Sequence, residues 1–130
     1  TRTVCVGQPS EKQLELYALV RRTHEECAAA IHAGADGHEI HMLSKKIIGD
    51  AGYGDYYGHG LGHGVGIDIH ELPNLGRTSN VLEEGAVVTV EPGVYLPGVG
   101  GVRLEDYGIV TKDGFKPFTK SSHDLVVIDC

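Results

Sequence analysis

The 130-residue sequence predicts an α+β fold, in which two helices pack on a mostly antiparallel sheet. Three observations support this fold class. Residues 1–6 alternate as a half-buried strand does, two helical patterns follow between residues 10 and 49, and β-type segments separated by turns begin at Tyr56. The length suffices for one domain of ordinary size, so we expect residues 1–130 to form a single domain.

Two helices are predicted from capping signals and apolar spacing. Ser10 and Gln13 have the spacing of a capping box. The residues that follow at helical spacing, up to a stop at Gly34, are Leu14, Tyr17, Val20, His24, Cys27 and Ile31. A second helix is expected from Asp36 to the glycine-rich segment 49–54, with a buried stripe of Ile40, Leu43 and Ile47.

The predicted strands are a glycine-rich histidine run followed by residues 87–90, 102–105, 108–110 and 125–128. Five other histidines receive no functional role, and we expect them at helix-surface or partly packed positions: His24, His32, His38, His41 and His123.

Composition argues against several classes of function. The formal net charge of -7 is unsuited to nucleic acid as a main partner, because phosphate-binding surfaces need clustered Lys and Arg. We find no apolar run that could span a bilayer and no signal peptide, so no membrane association is expected. Three widely spaced cysteines without a CxxC pattern, Cys5, Cys27 and Cys130, favour the reducing cytoplasm over a disulfide scaffold.

The histidine run is the most informative segment. His59 and His63 are four residues apart, as on one face of a metallopeptidase HExxH helix. Glycine at every second position from 58 to 66 would cost a helix about 1 kcal/mol each, and His70-Glu71 has no histidine four residues later. A strand or loop is therefore favoured, in which the glycines allow close approach and both histidines share a face. The alternative is a glycine-rich turn with solvent-exposed histidines.

Two acidic residues follow in apolar segments. Glu91 ends a valine-rich run, where an unpaired carboxylate is costly to bury, so it is exposed at the strand end, paired or bound to metal. Glu105 either forms a surface pair with Arg103 or binds metal. An imidazole and carboxylates from separate strands suit divalent Mn, Co or Zn. Asp106 points to the opposite face of an ideal strand and is not favoured as a ligand.

These motifs together resemble the C-terminal part of the catalytic domain of the pita-bread metallopeptidases, in the aminopeptidase P and Xaa-Pro dipeptidase (prolidase) branch. The matching segments are GHGLGHG at 58–64, HELP at 70–73, VEPG at 90–93 and RLED at 103–106. Methionine aminopeptidases share the spacing of His63 and His70 but lack the extra histidine that His59 supplies. The resemblance covers essentially the whole chain and implies an incomplete pita-bread fold.

The resemblance also implies roles for individual residues. The metal ligands would be His63, Glu91 and Glu105, and the residues facing the substrate would be His59, His70 and Arg103. Catalysis would rest on His59 and His70, which hold the carbonyl and the tetrahedral intermediate, and on Glu91, which accepts a proton from water. The resemblance implies two divalent ions, Mn²⁺ or Co²⁺ with Zn²⁺ as a third candidate, which hydrolyse Xaa-Pro bonds in proline-containing peptides.

Two further metal-binding aspartates of the family would precede Thr1, which makes the chain an N-terminally truncated catalytic domain with half of the metal site. We therefore expect the isolated chain to be weakly active or inactive. The implied location is the cytoplasm, and the family often forms homodimers. Three alternatives remain: a non-catalytic pita-bread binding module, a methionine aminopeptidase-like enzyme and a creatine-type amidine hydrolase.

Overall fold

The order of the elements is one strand, two helices and then a series of strands, in a computed structural model that describes residues 1–129. The helices are α1 (Glu11–Ala29) and α2 (Gly37–Asp50), followed by a short 3₁₀ turn at Gly54–Tyr56. The strands are β1 (Val4–Val6), β2 (Gly62–Gly64), β3 (Glu71–Leu75), β4 (Val87–Val90), β5 (Gly93–Leu96), β6 (Gly100–Arg103), β7 (Asp106–Thr111), β8 (Gly114–Pro117) and β9 (Val126–Ile128). Cys5 and Cys27 are free thiols, whereas the expectation for Cys130 lies outside the described residues.

Helix α1 begins as predicted and ends earlier. The Ser10 hydroxyl accepts a hydrogen bond from the Gln13 N–H at 3.3 Å, and the Gln13 side chain accepts from the Ser10 N–H at 2.8 Å. The helix ends at Ala29 rather than near Gly34, because the chain turns back there and the Gly34 N–H donates to the Leu82 carbonyl. Among the residues at helical spacing, Leu14 stays 47% exposed, whereas Tyr17 and Val20 are buried.

Helix α2 matches the expectation closely. The Asp36 side chain accepts from the His38 N–H at 2.9 Å and from the Ser79 hydroxyl at 2.6 Å, which fixes the helix start. Ile40 and Ile47 are buried as predicted, whereas Leu43 is only partly buried.

A five-stranded antiparallel sheet in the order β3-β2-β4-β7-β8 forms the centre of the fold. Strands β5 and β6 form a separate antiparallel hairpin, and β1 pairs with β9 in parallel. The predicted strand 102–105 is wrong, because β6 ends at Arg103 and β7 starts at Asp106. Residues 104 and 105 connect the hairpin to the central sheet, so the segment predicted as one strand contributes to two different sheets. Strands β5 and β8 were not predicted.

The amino-terminal segment is extended, but its strand begins later than predicted. The strand proper starts at Val4, and residues 1–3 instead bond to the end of β6. The Thr3 hydroxyl donates to the Arg103 carbonyl at 2.9 Å, and the Glu105 N–H donates to the Thr1 carbonyl at 3.0 Å.

Two apolar clusters surround these elements. One joins α1, α2 and the hairpin through side chains such as Leu16, Val20 and Val94, and the other lies between the helices and the central sheet around Ile40, Leu61 and Val88. Neither cluster includes Glu91, the polar residue that directly follows β4. Within residues 1–129 no helix is long and apolar enough to cross a membrane.

Candidate metal centre

The glycine-rich histidine run forms strand β2 in the middle of the sheet, so the predicted close approach is realised. A Cβ atom at Gly62 would overlap the Thr89 carbonyl of β4, and one at Gly64 would overlap the Leu72 carbonyl of β3. Glycine on both sides of His63 therefore lets β2 fit between its neighbours. The strand is confined to Gly62–Gly64, so His59 lies in the preceding irregular segment and not on the same strand face.

His63 and Glu91 are in direct contact. The His63 Nε2 atom lies 3.1 Å from Oε1 of Glu91, and both side chains are largely buried, with exposed fractions of 19% and 14%. His63 Nδ1 lies 2.9 Å from the Gly64 carbonyl, which assigns the ring proton to Nδ1 and leaves the lone pair of Nε2 for a ligand.

Thr89 links the two residues through its buried hydroxyl group. This hydroxyl accepts a hydrogen bond from the His63 N–H at 3.0 Å and donates one to Glu91 Oε1 at 3.1 Å. Thr89 was not predicted as a site residue, although it is the one polar side chain of the strand Val87–Val90.

The remaining predicted substrate-facing residues surround this pair. The ring centroids of His70 and His63 are 4.3 Å apart, and Arg103 Nη1 lies 3.9 Å from Glu91 Oε2. His59 Nε2 lies 3.2 Å from the hydroxyl of Tyr95, a residue that the sequence analysis also missed. An open cleft results, and its lining residues are His59, Gly60, Gly62, His63, His70, Glu91 and Arg103.

Glu105 occupies a different position. Its carboxylate accepts a hydrogen bond from the Thr1 hydroxyl and does not line the cleft. Burial would raise the pKa of Glu105, but the hydrogen bond from Thr1 and the charges of the terminal amino group and Arg103 lower it overall, so the group is ionised at neutral pH. Its role as a metal ligand stays a prediction.

The chemistry of the cleft fits a divalent cation. Two ligand atoms at right angles on an ion with bonds of about 2.1 Å are about 3 Å apart, close to the 3.1 Å between His63 Nε2 and Glu91 Oε1. One imidazole nitrogen and one carboxylate oxygen are ligands that Mn²⁺, Co²⁺ and Zn²⁺ all accept. Hydrogen bonds from Thr89 and to the Gly64 carbonyl hold both ligands in place, as outer partners do in metal sites.

Comparison with known proteins assigns the family. The sequence profile of metallopeptidase family M24 matches residues 1–112. This chain belongs to metallopeptidase family M24. The M24 chain is 46% identical over 129 residues to the Xaa-Pro dipeptidase of Lactobacillus delbrueckii subsp. lactis, covering 98% of this chain and 35% of that relative.

Solved structures agree with this assignment. The Xaa-Pro dipeptidase from Bacillus anthracis is 47% identical to this M24 chain with a TM-score of 0.94, over 98% of this chain and 36% of that one. The X-Pro aminopeptidase from Thermotoga maritima MSB8 is 33% identical with a TM-score of 0.94, over 98% and 36%. The predicted pita-bread fold is therefore confirmed, and the chain spans about a third of the length of these relatives.

Proposed function

We propose that the protein containing this chain is a metal-dependent peptidase that cleaves Xaa-Pro bonds. The observation that carries the proposal is the contact between His63 and Glu91 at the bottom of a cleft that His59, His70 and Arg103 also line. Relatives named Xaa-Pro dipeptidase and X-Pro aminopeptidase cover nearly the whole chain, which supports proline-containing peptides as substrates. Proline needs a pocket shaped for its ring, since its amide lacks an N–H donor.

Each residue of the cleft has a proposed task. His63, Glu91 and Glu105 would hold metal, and we propose two divalent ions, Mn²⁺ or Co²⁺ with Zn²⁺ as a third candidate. Such ions lower the pKa of a bound water and polarise the scissile carbonyl. To bind, Glu105 would have to leave the Thr1 hydroxyl, and further ligands would have to join the pair that residues 1–129 bring together.

The other polar groups serve the substrate. Glu91 is proposed to accept a proton from the attacking water and to pass it to the leaving proline nitrogen, which a positioned carboxylate does well. His59 and His70 are proposed to donate hydrogen bonds to the carbonyl oxygen as it gains negative charge. In the structure, His59 Nδ1 lies 2.7 Å from the Gly60 carbonyl and Nε2 lies 3.2 Å from the Tyr95 hydroxyl, so His59 would have to exchange the Tyr95 contact for the substrate oxygen. Arg103 would orient Glu91 from the other side of the carboxylate.

A chimera tests whether these residues support the activity. This chain would replace the aligned 36% of the Bacillus anthracis Xaa-Pro dipeptidase, with which it shares 47% identity. We expect the chimera to hydrolyse an Xaa-Pro dipeptide only with a divalent metal, and His63→Asn to abolish turnover. The exposed His32→Asn serves as the matched control and should leave turnover unchanged. A folded chimera that is inactive, or that cleaves N-terminal methionine or an amidine instead, would refute the proposal.

The isolated chain answers a second question. We propose that residues 1–130 form one domain with only half of the metal site, so the isolated chain should retain at most one weakly held Mn²⁺ after loading and desalting. Two tightly held ions per chain would contradict the half-site.

We also propose that the protein forms a homodimer, which light scattering would measure. We propose a cytoplasmic location as well, which the free thiols Cys5 and Cys27 support.

A further inference from the structure

A second group of potential metal ligands lies apart from the cleft, where α1, β7 and the segment before β9 meet. It consists of His24, Asp106 and His123, which offer ligand atoms that all lie within 4.8 Å of one another. Asp106 Oδ2 is 2.7 Å from His123 Nε2 and 3.4 Å from His24 Nε2. No other group of three potential ligands within residues 1–129 is as close.

His24 is the unusual member of this group. It is only 2% exposed, yet neither of its ring nitrogens has a hydrogen-bond partner, because the 3.4 Å approach to Asp106 is not aligned as a hydrogen bond. A buried polar group without a partner costs about 1–3 kcal/mol, so its presence calls for a physical explanation. A cation between the imidazole and the carboxylate would supply the missing interaction for Nε2.

The surroundings of Asp106 resemble those of a metal-binding carboxylate. Arg2 donates to Asp106 Oδ1 at 2.7 Å, so this oxygen is already occupied and Oδ2 faces the two histidines. An outer partner of this kind orients a ligand toward its ion. Glu25 and Asp113 line the same surface depression, so their negative charges offset the positive charge of Arg2.

We propose that His24, Asp106 and His123 bind one Zn²⁺ ion, at a site separate from the His63–Glu91 cleft. Neutral imidazole and carboxylate are ordinary zinc ligands, and a tetrahedral ion would separate its ligand atoms by about 3.3 Å. The 3.4 Å between His24 Nε2 and Asp106 Oδ2 is close to this value. His123 would retreat by about half an ångström as the ion replaces the proton that it shares with Asp106. Its side chain is 25% exposed, so the shift need not displace buried neighbours on every side.

The site would tie three distant segments together. The ion would join helix α1 to the start of β7 and to the segment before β9. Water or another small ligand would fill the fourth coordination position, on the side of the surface depression. Zinc should therefore raise the melting temperature of the chain, since an ion that binds only the folded state stabilises it.

Zinc titration of the 130-residue chain tests the proposal once the cleft is disabled by His63→Asn and Glu91→Gln. We expect this double variant to retain one Zn²⁺ after desalting and to melt at a higher temperature with zinc. His123→Asn in the same background should weaken binding by at least about tenfold, as losses around metal ligands do. His32→Asn, at an exposed histidine, should have no effect. Zinc absent from the double variant, or held equally after His123→Asn, would overturn the site.

A measurement without ligand substitution guards against misfolding of the His123 variant. In the double variant, ¹⁵N resonances of the imidazole rings should shift on zinc addition for His24 and His123 and stay in place for His32. Shifts confined to exposed histidines such as His32 and His70 would mean surface binding only, and would refute the proposal.

Discussion

Thr89→Val removes one hydroxyl and almost no volume, so it isolates the two hydrogen bonds that join His63 to Glu91. The side chain is 3% exposed, so water cannot replace either bond without disturbing the sheet. The His63 N–H would lose its acceptor, which costs about 1–3 kcal/mol, and Glu91 would lose a donor to its charge. Glu91 keeps its contact with Arg103, which limits the second loss. We expect the free energy of unfolding to fall by about 2–3 kcal/mol.

Urea unfolding followed by circular dichroism measures this change. The slope of the unfolding free energy against urea concentration should stay the same, because unfolding exposes the same surface. The melting temperature should fall by about 8–12 °C for a domain of this size. Thr23→Val is the matched control, since Thr23 is equally buried but its hydroxyl only donates to the Leu19 carbonyl within α1. A cost below about 1 kcal/mol is expected there. If Thr89→Val cost no more than Thr23→Val, the proposed link between His63 and Glu91 would be refuted.

Three further predictions concern the rest of the fold. Arg2→Met should destabilise the protein by about 3–5 kcal/mol, because it removes the guanidinium from Oδ1 of the buried Asp106 carboxylate and leaves this charge with only its His123 and His24 neighbours. Arg22→Met at an exposed ion pair should cost under about 1 kcal/mol, and equal costs by urea unfolding would contradict this. Ser10→Ala should cost about 1 kcal/mol through loss of the capping box, and an unchanged unfolding midpoint would argue against it. Burial, with Lys45 nearby, lowers the pKa of His41 below 6.5 in the folded state. The unfolded state therefore binds more protons at mildly acidic pH, so the free energy of unfolding falls as the pH drops from about 7 to 5. His41→Asn should reduce that fall, and an identical pH profile would exclude the assignment.

Local signals in the sequence were sufficient where a structure depends on neighbours in the chain. The capping box at Ser10, the cap at Asp36 and strand β4 follow from spacing alone, and the structure confirms them. The close approach at Gly62 also followed from the alternation of glycines. Such features need no knowledge of distant partners.

The failures occurred where a distant segment decides the outcome. Residues 102–105 have one apolar pattern, yet the chain leaves the hairpin after Arg103 and enters the central sheet at Asp106. The expected helix-surface or partly packed positions of His24 and His41 are wrong, because the two residues are only 2% and 5% exposed. His24 lies against the carboxylate of Asp106, 82 positions later in the chain. Neither helical spacing nor composition carries information about that contact.

The position of Glu105 allows a direct test of its proposed role as a ligand. The Thr1 hydroxyl donates to Oε2, so it competes with any metal ion for this carboxylate. Thr1→Val keeps the shape of the side chain and removes the donor, and one hydrogen bond to a charged group is worth about 1.5–3 kcal/mol. If Glu105 binds metal, Thr1→Val should tighten Mn²⁺ binding by about tenfold or more.

Thr1→Val in a Glu105→Gln background completes a double-mutant cycle for these two residues. Because the carboxylate is then absent, Thr1→Val should leave Mn²⁺ binding by calorimetry unchanged, and the two effects should be strongly non-additive. Equal Mn²⁺ affinity with and without the Thr1 hydroxyl in the chain with Glu105 intact would mean that this carboxylate stays with residues 1–3. The ion would then rest on His63 and Glu91 alone among the three predicted ligands, and Glu105 would serve to fix the amino-terminal segment against the end of β6.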